Sequence, residues 1–229
     1  MRRVLVSALV AGLLAGLVFF TLQLATLLPL IATAESYERA AAATHAPETH
    51  AWEPRDGAER LAYTAAADMV ASIGFALLLV GSFGLRSGAI GFWRGLAWGL
   101  AGYAVFALAP GLGLPPTPPG MAEADLAPRQ LWWLGTALST AAGLGLLAFG
   151  RGWWRWAVGL LLLALPHAIG APRPDSAGGV APAELASRFA IASLVATGVF
   201  WVVLGATGGW LYDRLGQRRD GALDVGSEG

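Results

Sequence analysis

The chain has 229 residues, of which 56% are hydrophobic and 13% charged, a balance that a water-soluble domain of this size cannot solvate. Its 15 acidic and 15 basic residues cancel, which removes the electrostatic basis for a nucleic-acid partner or a polybasic lipid-binding tail. Every basic residue is arginine and there is no cysteine, so a Walker-type phosphate loop, a Schiff base, thiolate metal sites and thiol nucleophiles are excluded. Any metal must be met by nitrogen or oxygen.

Apolar runs near twenty residues predict spans at Val4–Ile31, Leu61–Leu85, Gly91–Leu112, Gln130–Phe149, Trp153–Ile169 and Glu184–Leu211. The runs are continuous and rich in leucine and alanine, without the alternation of a membrane β-strand. The fold class is therefore all-α, a polytopic membrane bundle with membrane lipid as its solvent. Six spans are expected, or five if the first is cleaved or the fifth does not cross. Residues 1–214 read as one transmembrane domain and 215–229 as a polar cytoplasmic tail.

With the N-terminus inside, nine arginines, Arg2, Arg3, Arg86, Arg94, Arg151, Arg155, Arg214, Arg218 and Arg219, fall on the cytoplasmic side and six on the other. The positive-inside rule then places both termini in the cytoplasm and the protein in a cell inner membrane. Trp93, Trp153, Trp154 and Trp156 mark the inner interface, Trp52, Trp132 and Trp133 the outer one, as anchors. Arg2, Arg3 and a small-residue Ala32-Thr33-Ala34 site imitate a signal peptide, but the apolar core exceeds the roughly 7–15 residues of a secretory segment. The first span is expected to remain as an anchor. Glycines at four-residue spacing, Gly12 with Gly16 and Gly95 with Gly99, and likewise Gly205, Gly208 and Gly209, read as helix-packing positions.

Candidate chemistry concentrates in the connector after the first span. Glu35, Ser36, Tyr37 and Glu38 are followed by His45, Glu48 and His50, then Trp52, Glu53, Asp56 and Glu59. Imidazole and carboxylate suit divalent cobalt, nickel or zinc, although two histidines five residues apart in an acidic, solvated loop can equally be incidental. His167 follows Pro166 at the outer end of a short span. Proline removes a backbone donor there, which favours either a ligand-facing site or a simple interfacial histidine. The segments Pro115–Gly120 and Pro172–Asp175, preceding Asp125 and Glu184, suit either a rigid vestibule or plain helix punctuation. Inside the membrane, Gln23 and Asp68 either line a polar path or hydrogen-bond a neighbouring helix.

An intramembrane hydrolase is disfavoured, because Ser82 lies near the inner face and His167 near the outer one, across most of a core about 30 Å thick. A non-transporting scaffold or regulatory subunit, binding another protein through glycine-rich faces, is the competing class.

Several blocks stand out together: the arginine-led first span ending at Glu35-Ser36-Tyr37-Glu38, the histidine-containing loop after it, Leu108-Ala109-Pro110 through Pro119-Gly120, and Arg129-Gln130-Leu131-Trp132-Trp133. Pro166-His167 through Pro172 and Pro182-Ala183-Glu184-Leu185 complete the set. In these blocks the chain resembles the CbtA family of predicted cobalt transporter subunits. The resemblance implies uptake of Co2+ in support of cobalamin synthesis, with no enzyme activity and no tightly bound cofactor, and a small single-span companion, CbtB. A homo-oligomer is compatible with this reading. Family members are usually described with about five spans. The ligand set expected for the ion is His45, His50, His167, Glu35, Glu38, Glu48 and Asp68, with Ni2+ the nearest chemical alternative to Co2+.

Overall fold

The computed structural model describes residues 1–42, 54–85, 90–175 and 178–227. The described residues form six helices in chain order: α1 Arg2–Ala42, α2 Ala58–Ser82, α3 Phe92–Gly113, α4 Leu126–Phe149, α5 Trp154–Ile169 and α6 Ala183–Ser227. No strand occurs among the described residues, so the all-α expectation holds. Among the described residues, five helices are long and apolar enough to cross a membrane. The exception is α5, whose 16 residues reach about 24 Å, short of a hydrocarbon core about 30 Å thick. It corresponds to the span that the sequence marks as unusually short.

Helix α1 runs 41 residues, well beyond the apolar stretch that ends near Ile31, because Glu35, Glu38, Arg39 and Ala40–Ala42 are good helix formers that outweigh Ser36 and Tyr37. Ala32-Thr33-Ala34 lies inside this helix, with Ala34 fully buried. Helix α6 likewise continues past Leu211 to Ser227, drawing part of the polar tail into the helix. Trp93, Trp153, Trp154 and Trp156 are exposed, as interfacial anchors should be.

Two helices contain a five-residue π turn, Gln23–Leu27 in α1 and Ala104–Leu108 in α3. Each is followed, after one residue, by a proline: Pro29 and Pro110. Proline cannot donate to the carbonyl four residues back and its ring presses on that turn. Widening the turn relieves both problems without breaking the helix.

The chain divides into two compact units. The first takes Met1–Gln23, His50–Gly102 and Thr197–Gly229. Within it, α1 and α2 run antiparallel with small residues at the seam: a Cβ added at Gly12 would meet the Ile73 Cα at 3.0 Å, and one at Gly16 the Ser72 Oγ at 2.8 Å. Helices α3 and α6 come closer still. A Cβ at Gly205 would lie 2.5 Å from the Gly95 carbonyl and 2.7 Å from the Gly99 Cα, and one at Gly209 2.7 Å from the Gly95 Cα. The glycine spacings thus mark backbone-to-backbone packing. Phe19, Phe75, Phe200 and Trp201 fill the adjoining core, with ring centroids 5.2–6.3 Å apart. Arg3 lies over the Tyr212 ring at 3.6 Å and donates to the Tyr212 carbonyl.

The second unit takes Leu24–Thr49 and Tyr103–Ala196. Here α4 and α5 close on Gly143 and Gly159, where a Cβ on the first would stand 2.9 Å from the carbonyl of the second. Pro166 deprives the Leu162 carbonyl, four residues back, of its helical donor. The Ser139 hydroxyl of α4 donates to that carbonyl at 2.6 Å, so no orphan acceptor is left in an apolar seam. Ser139→Ala is expected to cost about 0.5–1.5 kcal/mol, read as a lower unfolding temperature in detergent. The two proline-rich connectors are tied by a Met121–Gly179 bridge, in which Ala122 N donates to Gly178 O and Val180 N to Gly120 O, each at 3.0 Å. Gly120 and Gly178 have φ of 76° and 94°, a region that favours glycine.

Candidate functional site

Asp68 lies ten residues into α2, about 15 Å from the N-terminal end and about 21 Å from the last residue, Ser82, at 1.5 Å per residue. A carboxyl group so far inside an apolar helix is costly, and it occurs where a neighbour or a function requires it. Its partner is Gln23, whose Nε2 donates to both Asp68 carboxyl oxygens at 3.0 Å. The α1–α2 seam explains the meeting. Gln23 is seven residues after Gly16 and Asp68 four before Ser72, so each falls on the same stripe as the glycine contact one to two turns away. Of the two readings open for these residues, the hydrogen bond between neighbouring helices is present. Gln23 also opens the π turn before Pro29, a departure from regular helix of the kind that recurs at functional sites.

Among the described residues no arginine or histidine forms an ion pair with Asp68, and no group of three or more histidine, aspartate or glutamate side chains converges on one point. Asp68 belongs to the first unit, while Glu35, Glu38 and His167 belong to the second. Glu35 is half-buried on α1. Glu38 is exposed one turn later, and its Cβ and Cγ would stand 3.6 and 3.8 Å from a Cβ at Gly120, against the bridged connector. His45, Glu48 and His50 lie outside the described residues.

His167 is exposed on the last turn of α5, directly after buried Pro166. Trp132 of α4 braces it. The indole Nε1 donates to the Pro166 carbonyl at 3.3 Å, and the indole meets the imidazole edge-on with centroids 6.1 Å apart. The same indole lies against Gly113, where any side chain would displace it. Trp132 is thus a packing residue. Nothing in its spacing distinguishes it from Trp133, which is the more exposed of the pair.

The proline-rich connectors do enclose a cleft, of about 900 Å3, between Gly113–Leu126, the start of α4 and Pro172–Pro174. Its polar lining is Thr117, Glu123, Arg129, Gln130 and Arg173. Glu123 is held from two sides, by an ion pair with Arg129 and by the Thr117 hydroxyl at 2.5 Å. His167 is not part of this lining. As punctuation the acids differ: Asp125 precedes α4 without a side-chain capping bond, whereas Glu184 sits in the first turn of α6 and pairs with Arg188 at 2.7 Å.

Fold and site together define a polytopic α-helical membrane protein with a polar pair set inside one helix seam. The chain belongs to the family described as probable cobalt transporter subunit (CbtA), whose model matches residues 1–213. No match was found among curated proteins or solved structures. The family is described as one of transport rather than of catalysis, and its description as a subunit implies a partner protein.

Proposed function

We propose that this protein is a membrane permease or permease subunit for uptake of a divalent transition metal, Co2+ first and Ni2+ next, in support of cobalamin synthesis. The observation that carries the reading is Asp68, deep in an apolar helix, hydrogen-bonded by Gln23 and without a cationic partner among the described residues. Such a group offers hard oxygen ligands in the middle of a membrane path. His45, His50 and Glu48, with Glu35 and Glu38 at the end of α1, form the capture set outside the membrane, and His167 receives the ion at the start of its route. Both termini face the cytoplasm in this scheme, with a CbtB-like single-span companion as partner.

Imidazole and carboxylate in moderate number bind weakly enough to release, as transport requires. Ligation uses the lone pair of an imidazole nitrogen together with carboxylate oxygens.

The direct test is radiolabelled cobalt uptake in cells lacking their own cobalt and nickel importers, with and without the companion. The chain should import cobalt, and replacing His45, His50 and His167 together by alanine should abolish most of it at matched membrane abundance. If the unmutated chain imports nothing in either setting, the transport reading fails and the scaffold class takes its place.

A further inference from the structure

We propose that the cleft between the proline-rich connectors binds the carboxylate of a small organic acid, free or as the ligand shell of a chelated cation. The inference does not depend on the transport reading, because it concerns the sign of the charge that the cleft accepts.

The lining carries two guanidinium groups, Arg129 and Arg173, against one carboxylate, Glu123. That carboxylate is already engaged by Arg129 and by the Thr117 hydroxyl, so its oxygens are largely committed. A bare divalent cation entering the cleft would meet a net positive lining and no free acid. Arg173, by contrast, is exposed and forms no hydrogen bond or ion pair among the described residues, leaving its planar donor fork for an incoming group. The walls lead to the same class of ligand. Pro115, Pro116, Pro172 and Pro174 offer no backbone N–H, so along these walls an anion is met by side chains. They also hold the cleft in shape before a ligand arrives. Trp133 and Leu134 supply an apolar floor for the carbon body of an organic acid, which a hydrated metal ion does not use.

The test is equilibrium binding of citrate, of equimolar Co2+ and citrate, and of Co2+ chloride alone to the full chain in nanodiscs of neutral lipid. Citrate should bind. Arg173→Gln should weaken it about tenfold, the loss of one charge-assisted contact, while Glu123→Gln should tighten it several-fold by removing the competing acid. Arg173 has no partner to lose among the described residues, so its replacement should leave folding intact, and Arg173→Lys should restore part of the affinity. Tighter binding of the chelate than of free citrate would place the cleft on the metal's route; equal binding would make it an organic-acid site, and either outcome supports the proposal. It is overturned if citrate does not bind, if both variants bind citrate like the parent chain, or if the signs reverse, with Glu123→Gln weakening and Arg173→Gln tightening the binding of Co2+ chloride.

Discussion

Asp68→Asn is expected to lower cobalt uptake about tenfold or more at unchanged membrane abundance, since one charge-assisted contact is worth about 1.5–3 kcal/mol. Asparagine has nearly the shape of aspartate, and its side-chain oxygen still accepts from Gln23 Nε2, so the α1–α2 seam survives. What disappears is the second hard oxygen and the capacity to carry negative charge. Gln23→Leu should have a smaller effect, about threefold to tenfold, because it removes the group that orients the carboxyl while leaving the carboxyl itself. Both variants are read by radiolabelled cobalt uptake normalised to the amount of protein in the membrane. Parent-level uptake by Asp68→Asn would take Asp68 off the ion's path and reduce the pair to a structural hydrogen bond.

Gly205→Leu should prevent accumulation of folded protein, and even Gly205→Ala should lower the unfolding temperature clearly. A single added carbon at this position meets the Gly95 carbonyl at 2.5 Å and the Gly99 Cα at 2.7 Å, and both are backbone, which cannot rotate aside. The two helices must separate, losing close contacts along the whole glycine ladder. Overpacking of this kind costs about 1–3 kcal/mol for a methyl group and more for a leucine. Gly81→Ala and Gly145→Ala provide the contrast, since nothing lies within 4 Å of the added carbon at either position. In a helix those changes should be neutral or slightly stabilising. Thermal unfolding in detergent separates the two sets. If Gly205→Ala and Gly81→Ala unfold alike, the α3–α6 seam is not packed backbone to backbone.

The helical membrane class, the approximate places of the apolar helices and the packing role of the glycines were legible because each depends on a local pattern. An apolar run of twenty residues has one low-energy form in lipid, and glycines four apart form a groove on whichever helix carries them. Asp68 and Gln23 were legible as polar residues at membrane depth for the same reason. Their pairing was not, because 45 positions separate them in the chain. The shortness of α5 was written in its sequence; the rescue of its proline-exposed carbonyl by Ser139 was not. Trp132 and Trp133 show the limit most plainly. They are adjacent and identical in type, yet one lies against Gly113 and supports the Pro166–His167 turn while the other lines the cleft.

By itself, then, the sequence determined an all-α membrane protein without lysine or cysteine chemistry, carrying nitrogen and oxygen donors at identifiable places. The tertiary structure alone decided which donors meet. It joined Gln23 to Asp68, committed Glu123 to Arg129, left Arg173 unpaired among the described residues, and kept Asp68 in a different unit from Glu35, Glu38 and His167. The physical reason is range. Hydropathy and helix periodicity act over a few turns of one segment, whereas the partner of a buried polar group is set by the crossing of helices distant in the chain, through contacts at small residues whose effect on register no single segment contains.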